Sequence, residues 1–148
     1  MPEKIMETDS EKETFELAKE MGSLAEAGQV YTLTGDLGAG KTVFAKGFAE
    51  GLGVTECVNS PTFTIVQEYD TGRLPLYHFD VYRIGDVNEM DEIGYEDYIY
   101  GDGVCLIEWA DLIDELIPEN AVRIRIDRDT EKGSDHRMIR IGENLPDA

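Results

Sequence analysis

Gly35-Asp36-Leu37-Gly38-Ala39-Gly40-Lys41-Thr42 fits the spacing G-x-x-x-x-G-K-[ST] of a phosphate-binding loop. Its surroundings fit as well. Gln29-Val30-Tyr31-Thr32-Leu33-Thr34 reads as a strand and Val43-Phe44-Ala45-Lys46-Gly47-Phe48 opens a helix, the strand-loop-helix frame in which such a loop works. Gly35, Gly38 and Gly40 admit positive φ and carry no Cβ, so successive backbone N–H groups can turn inward ahead of a helix N-terminus and cradle an anion. A triphosphate is the natural guest. Lys41 is expected to set a point charge on the β and γ phosphates, and the Thr42 hydroxyl to serve as an oxygen ligand for a bridging Mg²⁺. A Gly-rich turn ahead of Lys-Thr would account for the motif but not for the frame around it.

A chain of 148 residues is expected to form one domain spanning 1–148, burying about 68–70% of its unfolded surface. Nothing along it reads as a linker, an apolar run of about 18 residues or a secretory signal, so the expectation is a soluble cytoplasmic protein without a membrane partner. Cys57 and Cys105 are too few for a disulfide scaffold and read as free thiols, Cys105 as a small core residue inside Val104-Cys105-Leu106-Ile107. Thirteen basic against 32 acidic residues give a net charge of −19. Broad binding to DNA or RNA needs a basic surface that releases counterions, so this composition argues against DNA and allows tRNA only local or indirect contact.

Taken in order, residues 1–9 read as a loose lead-in. Ser10-Glu11-Lys12-Glu13 has the form of a capping box, and Phe15, Ala18, Met21, Leu24 and Ala25 follow at helical spacing up to Gly28. The helix after the phosphate loop is expected to stop near Gly51-Leu52-Gly53. Phe63 to Tyr69 and Leu74 to Phe79 are β-rich and flank the turn cluster Asp70-Thr71-Gly72-Arg73, which predicts a hairpin. Between Asp86 and Asp102 an acidic segment with interleaved apolar residues predicts short helices with a solvated face. Val104 to Glu108 reads as a buried strand, Ala110 to Leu116 as a short helix, and Val122-Arg123-Ile124-Arg125-Ile126 with Arg137-Met138-Ile139-Arg140-Ile141 as a C-terminal hairpin. The fold class is α/β, a P-loop NTPase-like mixed sheet flanked by helices.

Phosphoryl transfer also needs a carboxylate to hold Mg²⁺ and a group to position the attacking oxygen. Asp80 and Glu108 each end an apolar strand, where α/β sheets gather their ligands, and spacing alone does not divide the roles between them. His78, between Tyr77 and Phe79, reads as a hydrogen-bonded structural residue. Trp109 can be core or can contact a nucleotide or partner.

The loop, Ser60-Pro61-Thr62-Phe63, His78-Phe79-Asp80-Val81-Tyr82-Arg83 and Ile107-Glu108-Trp109 together resemble the TsaE (YjeE) family of bacterial P-loop ATPases, in order and spacing, from Glu11 to about Ile141. The resemblance implies a component of the machinery that places threonylcarbamoyl on the adenosine next to the anticodon of certain tRNAs. It also implies ATP hydrolysis beside a TsaB–TsaD heterodimer. By position, Asp36, Leu37, Gly38, Ala39, Gly40, Lys41 and Thr42 hold the nucleotide, Thr42 and Glu108 become Mg²⁺ ligands, and Asp80, with Lys41 and Thr62, supports hydrolysis. Thr62 then belongs to a switch-like segment. Glu11 and Ser134 become neighbours of the nucleotide base.

A small-molecule kinase would share the loop and the Mg²⁺, but no arginine-rich lid segment is present. A nucleotide-gated assembly factor would use the same residues with little hydrolysis. A GTPase would need an N-K-x-D segment, which the sequence lacks.

Overall fold

Strand β5 (Val104–Glu108) is buried at every position, as befits a strand paired on both edges and covered on both faces. The computed structural model describes residues 4–35, 40–56, 58, 65–82, 85–128, 131, 133 and 135–142. Within them β5 runs parallel to β2 (Val30–Gly35) on one side and to β4 (Leu76–Asp80) on the other. Beyond β4 lies β3 (Val66–Tyr69), its antiparallel hairpin partner. Beyond β2 come β6 (Val122–Arg128), parallel to it, and then β7 (Arg137–Gly142), antiparallel to β6. Both expected hairpins are present, and the sheet is mixed.

The expected loose lead-in is a correction. Lys4–Thr8 form strand β1, paired antiparallel with β7 from Lys4 opposite Ile141 to Thr8 opposite Arg137. The described sheet thus has seven strands in the order β1-β7-β6-β2-β5-β4-β3. As an edge strand β1 buries little, with Ile5 exposed and Thr8 buried, so it carries no apolar run. Its backbone pairing to a strand more than a hundred residues away holds it.

Two helices cover one face. In α1 (Glu11–Leu24) Ser10 is the N-cap, its hydroxyl accepting from the Glu13 N–H at 3.1 Å while the Glu13 carboxylate reaches back to the Asp9 N–H at 3.4 Å. The helix ends four residues before Gly28. Arg73, from the β3–β4 turn, donates to the carbonyls of Gly22, Ser23 and Ala25 and satisfies that end from across the fold. Helix α2 (Lys41–Gly51) packs on α1 through glycines: a Cβ on Gly22 would lie 2.1 Å from the Phe48 carbonyl oxygen, and one on Gly51 2.1 Å from that of Lys19. Phe44, Phe48 and Ala18 bury against Leu33, Leu106, Ile124 and Ile126 on this side. On the other side Phe79, Cys105 and Ile107 meet the short helices α3 (Glu89–Glu92) and α4 (Tyr95–Ile99) and the 3₁₀ helix Ala110–Leu116. Cys105 is a buried free thiol, pushed up to about 12 by burial; Cys57 lies outside the described residues.

Candidate functional site

The phosphate loop leaves β2 at Gly35, whose φ is +141° and whose Cβ, if present, would sit 2.1 Å from the Ile126 carbonyl oxygen. Only glycine lets β2 lie this close to β6 while turning away. Gly40, at φ +106°, caps α2 in the left-handed region and hands the chain to Lys41. Lys41 is buried, although its side chain carries a charge. Its Nζ donates to the Gly35 carbonyl at 2.8 Å and stands 3.5 Å from the centre of the Trp109 ring, so a carbonyl dipole and an aromatic face share the ammonium. Thr42 is exposed one residue further along the helix.

Parallel pairing brings the two strand-end acids together. Asp80 on β4 is the register partner of Glu108 on β5, and Glu108 is in turn opposite Leu33 on β2, the strand that feeds the loop. Side chains alternate along a strand, so His78 and Asp80 share the α2 side of the sheet with Leu76, and Glu108 shares it with Leu106. Glu108 is buried, and its Oε2 lies 2.6 Å from His78 Nε2. Asp80 is half-buried and accepts from the Tyr82 N–H at 3.0 Å. Burial pushes the Asp80 carboxyl above its usual range and Glu108 adds to this, while the Tyr82 N–H, His78 and Lys41 pull the other way.

Immediately after Glu108 the backbone turns sharply. Trp109 has φ +62°, the one positive value at a non-glycine among the described residues, and its N–H donates to the Leu33 carbonyl at 3.3 Å. This strained turn lays the indole against Lys41, with Tyr82 on it at 4.7 Å between ring centres. The half-buried ring packs on the core cluster of Phe79 and Ile107 and also faces Lys41. Tyr82 was not foreseen in this role. Its position two residues after Asp80 was the available signal.

On the other side of the α2 N-terminus, Glu11, Ser10 and Thr14 of α1 line a pocket with Gly40, Val43, Asp135 and Arg137. Glu11 therefore borders Gly40 at the start of α2. Neither Asp135 nor Arg137 is expected here from sequence, because Asp135 sits in a polar loop and the alternation that begins at Arg137 marks a strand rather than a pocket. Between them His136 holds the Asp9 carboxylate through Nδ1 at 2.5 Å and Glu7 through Nε2 at 3.0 Å. Asp36, Leu37, Gly38, Ala39, Thr62 and Ser134 lie outside the described residues.

Thr42, Asp80 and Glu108 offer hard oxygen donors of the kind Mg²⁺ takes. Among the described residues no three His, Cys, Asp or Glu side chains form a preformed metal cage. A nucleotide-bound Mg²⁺ needs none, since one or two protein oxygens, phosphates and water complete its shell.

Residues 8–139 match the family described as "Threonylcarbamoyl adenosine biosynthesis protein TsaE". The chain belongs to the TsaE family. It is 54% identical over 132 residues to the tRNA threonylcarbamoyladenosine biosynthesis protein TsaE of Bacillus subtilis, covering 89% of this chain and 80% of that one. To the protein of the same name from Treponema pallidum it is 44% identical over 117 residues, 79% of this chain and 86% of the relative. The crystal structure of YdiB from Bacillus subtilis superposes with a TM-score of 0.82 at 46% identity, covering 96% of this chain and 86% of that one. Membership in the TsaE family implies nucleotide binding, in keeping with the loop at Gly35 to Thr42. Among the described residues no helix is long and apolar enough to cross a membrane.

Proposed function

We propose that the chain is the Mg²⁺-dependent ATPase of tRNA threonylcarbamoyladenosine biosynthesis, acting in the cytoplasm beside a TsaB–TsaD heterodimer and touching tRNA only indirectly. One observation carries the reading: Asp80 and Glu108 pair at the ends of β4 and β5, Glu108 lies opposite Leu33 of β2, and Lys41 rests on Trp109, the residue after Glu108. Lys41 neutralises the β and γ phosphates of ATP, and the loop amides cradle them. Thr42 and Glu108 would hold Mg²⁺, which would supply positive charge against the phosphates. Asp80, with its affinity for a proton raised by burial, orients the attacking water and accepts a proton from it as the bond from the γ-phosphorus to the leaving oxygen breaks. Thr62 belongs to a switch-like segment beside the γ-phosphate. Glu11 and Ser134 flank the base, and the absence of an N-K-x-D segment together with the family supports ATP and ADP as the ligands.

The γ-phosphate side of a lone small domain is open to water, where electrostatic stabilisation is weak, and no arginine stands next to the loop in sequence. The charge of −19 favours a protein surface over tRNA as docking target. The test is ATP turnover by the chain alone and with TsaB and TsaD from the same organism. Slow turnover that the pair accelerates is expected; fast turnover indifferent to the pair, or tight salt-sensitive tRNA binding by the lone chain, overturns the reading.

A further inference from the structure

His78 stands two residues before Asp80 on β4, opposite Leu106, and reaches diagonally to Glu108 on the neighbouring strand. Both side chains are out of solvent, His78 at 1% and Glu108 at 3% exposure. The Nε2 to Oε2 distance is 2.6 Å. Nδ1 on the opposite side of the ring is buried and, among the described residues, has no hydrogen-bond partner. That asymmetry decides where the proton sits. A neutral imidazole with its proton on Nδ1 alone would bury a donor without an acceptor and turn a bare Nε2 toward Glu108. With the proton on Nε2, the short contact becomes a charge-assisted N–H···O bond, and only a lone pair on Nδ1 goes unmatched.

We propose that His78 is the positioning residue for the metal-binding carboxylate of this site: Nε2–H grips Glu108 Oε2 and fixes the rotation in which the carboxylate faces the nucleotide's Mg²⁺. This rests on the reading of Glu108 as a Mg²⁺ ligand. A buried carboxylate needs such a donor to offset its desolvation, and a side chain held on one oxygen loses the freedom to swing away from an incoming cation. Partners of this kind, one bond removed from a metal, typically set about 10–100-fold of metal affinity.

The experiment measures Mn²⁺ binding by electron paramagnetic resonance in the presence of saturating ADP, and ADP binding by calorimetry in EDTA. His78→Leu is expected to weaken Mn²⁺ binding by about 10–100-fold and to leave metal-free ADP binding unchanged. His78→Gln, whose amide nitrogen can stand where Nε2 stands, is expected to recover most of the loss. Parent-like Mn²⁺ binding by His78→Leu, or a His78→Gln variant no better than His78→Leu, overturns the proposal. Glu108→Gln separates the two layers. If Glu108→Gln is weak in Mn²⁺ and His78→Leu is not, only the positioning role fails; if Glu108→Gln binds Mn²⁺ normally, the ligand assignment fails and the proposal with it. Should His78→Leu not fold, long-range proton-nitrogen spectra of the parent chain decide. The chain has two histidines, so His136→Gln assigns the signals, and a His78 Nε2 found without a proton overturns the proposal.

Discussion

The Lys41 ammonium rests 3.5 Å from the centre of the Trp109 ring, and Trp109 is the single tryptophan of the chain. The ammonium is held by that indole and by the Gly35 carbonyl. A cation on an aromatic face contributes about 0.5–2 kcal/mol, less than a doubly charged phosphate offers in the same space. Triphosphate binding is therefore expected to draw the ammonium off the ring.

That exchange has an optical readout. ATP titrated into the protein is expected to shift Trp109 emission in a saturable way, and Lys41→Met to abolish both the shift and most nucleotide affinity. Calorimetry showing unchanged ATP binding in Lys41→Met would falsify the phosphate-loop assignment. Emission indifferent to ATP in the parent would show that the ammonium does not move.

The TsaE resemblance, which makes Glu108 a Mg²⁺ ligand and Asp80 the residue that supports hydrolysis, predicts divided roles for this pair across β4 and β5. Asp80→Asn is expected to bind ATP and Mg²⁺ normally and to hydrolyse on the order of 10² times more slowly. Glu108→Gln is expected to lose the Mg²⁺ dependence of nucleotide binding. Single-turnover kinetics together with binding isotherms at several Mg²⁺ concentrations check both, and the reverse pattern would mean that the two carboxylates exchange duties.

His136 predicts a pH dependence with a definite sign. Hydrogen bonding to Asp9, then to Glu7, raises its pKa above the usual 6.5. The folded state thus favours the protonated ring. The contribution to stability is complete below about pH 6.5 and is lost as pH rises through the raised folded value. Comparing melting temperatures of the parent and His136→Gln across this range should show the parent's advantage shrinking on the alkaline side. Hydrogen exchange at Lys4 to Thr8 should rise with it, since Glu7 belongs to β1. An advantage that grows with pH would refute the assignment.

Gly22 predicts an overpacking defect. Alanine is the better helix former by about 1 kcal/mol, so propensity alone favours Gly22→Ala. The added Cβ would meet the Phe48 carbonyl oxygen at 2.1 Å, and forcing α1 and α2 apart costs typically about 1–3 kcal/mol or more. A lower denaturation midpoint is the expected outcome, and an increase would mean that the helices separate freely.

Sequence by itself determined the parts of this protein whose physics is local. A loop of glycines before Lys41-Thr42, a capping box at Ser10 to Glu13, and apolar runs ending in Asp80 and Glu108 are each encoded within a few residues, because backbone freedom, helix capping and strand period act at short range. Only the tertiary structure decided which of them meet. Parallel pairing of β4 with β5 sets Asp80 beside Glu108 and brings His78 within reach, and a strained backbone at Trp109 turns an apolar ring into the rest for Lys41. The same holds for β1, a strand with almost no apolar signal that exists because β7 offers it backbone partners. It holds for α1, whose end is satisfied by Arg73 from another hairpin. Contacts between residues tens to more than a hundred positions apart leave no period or motif in either stretch, so they become visible only when the sheet is assembled.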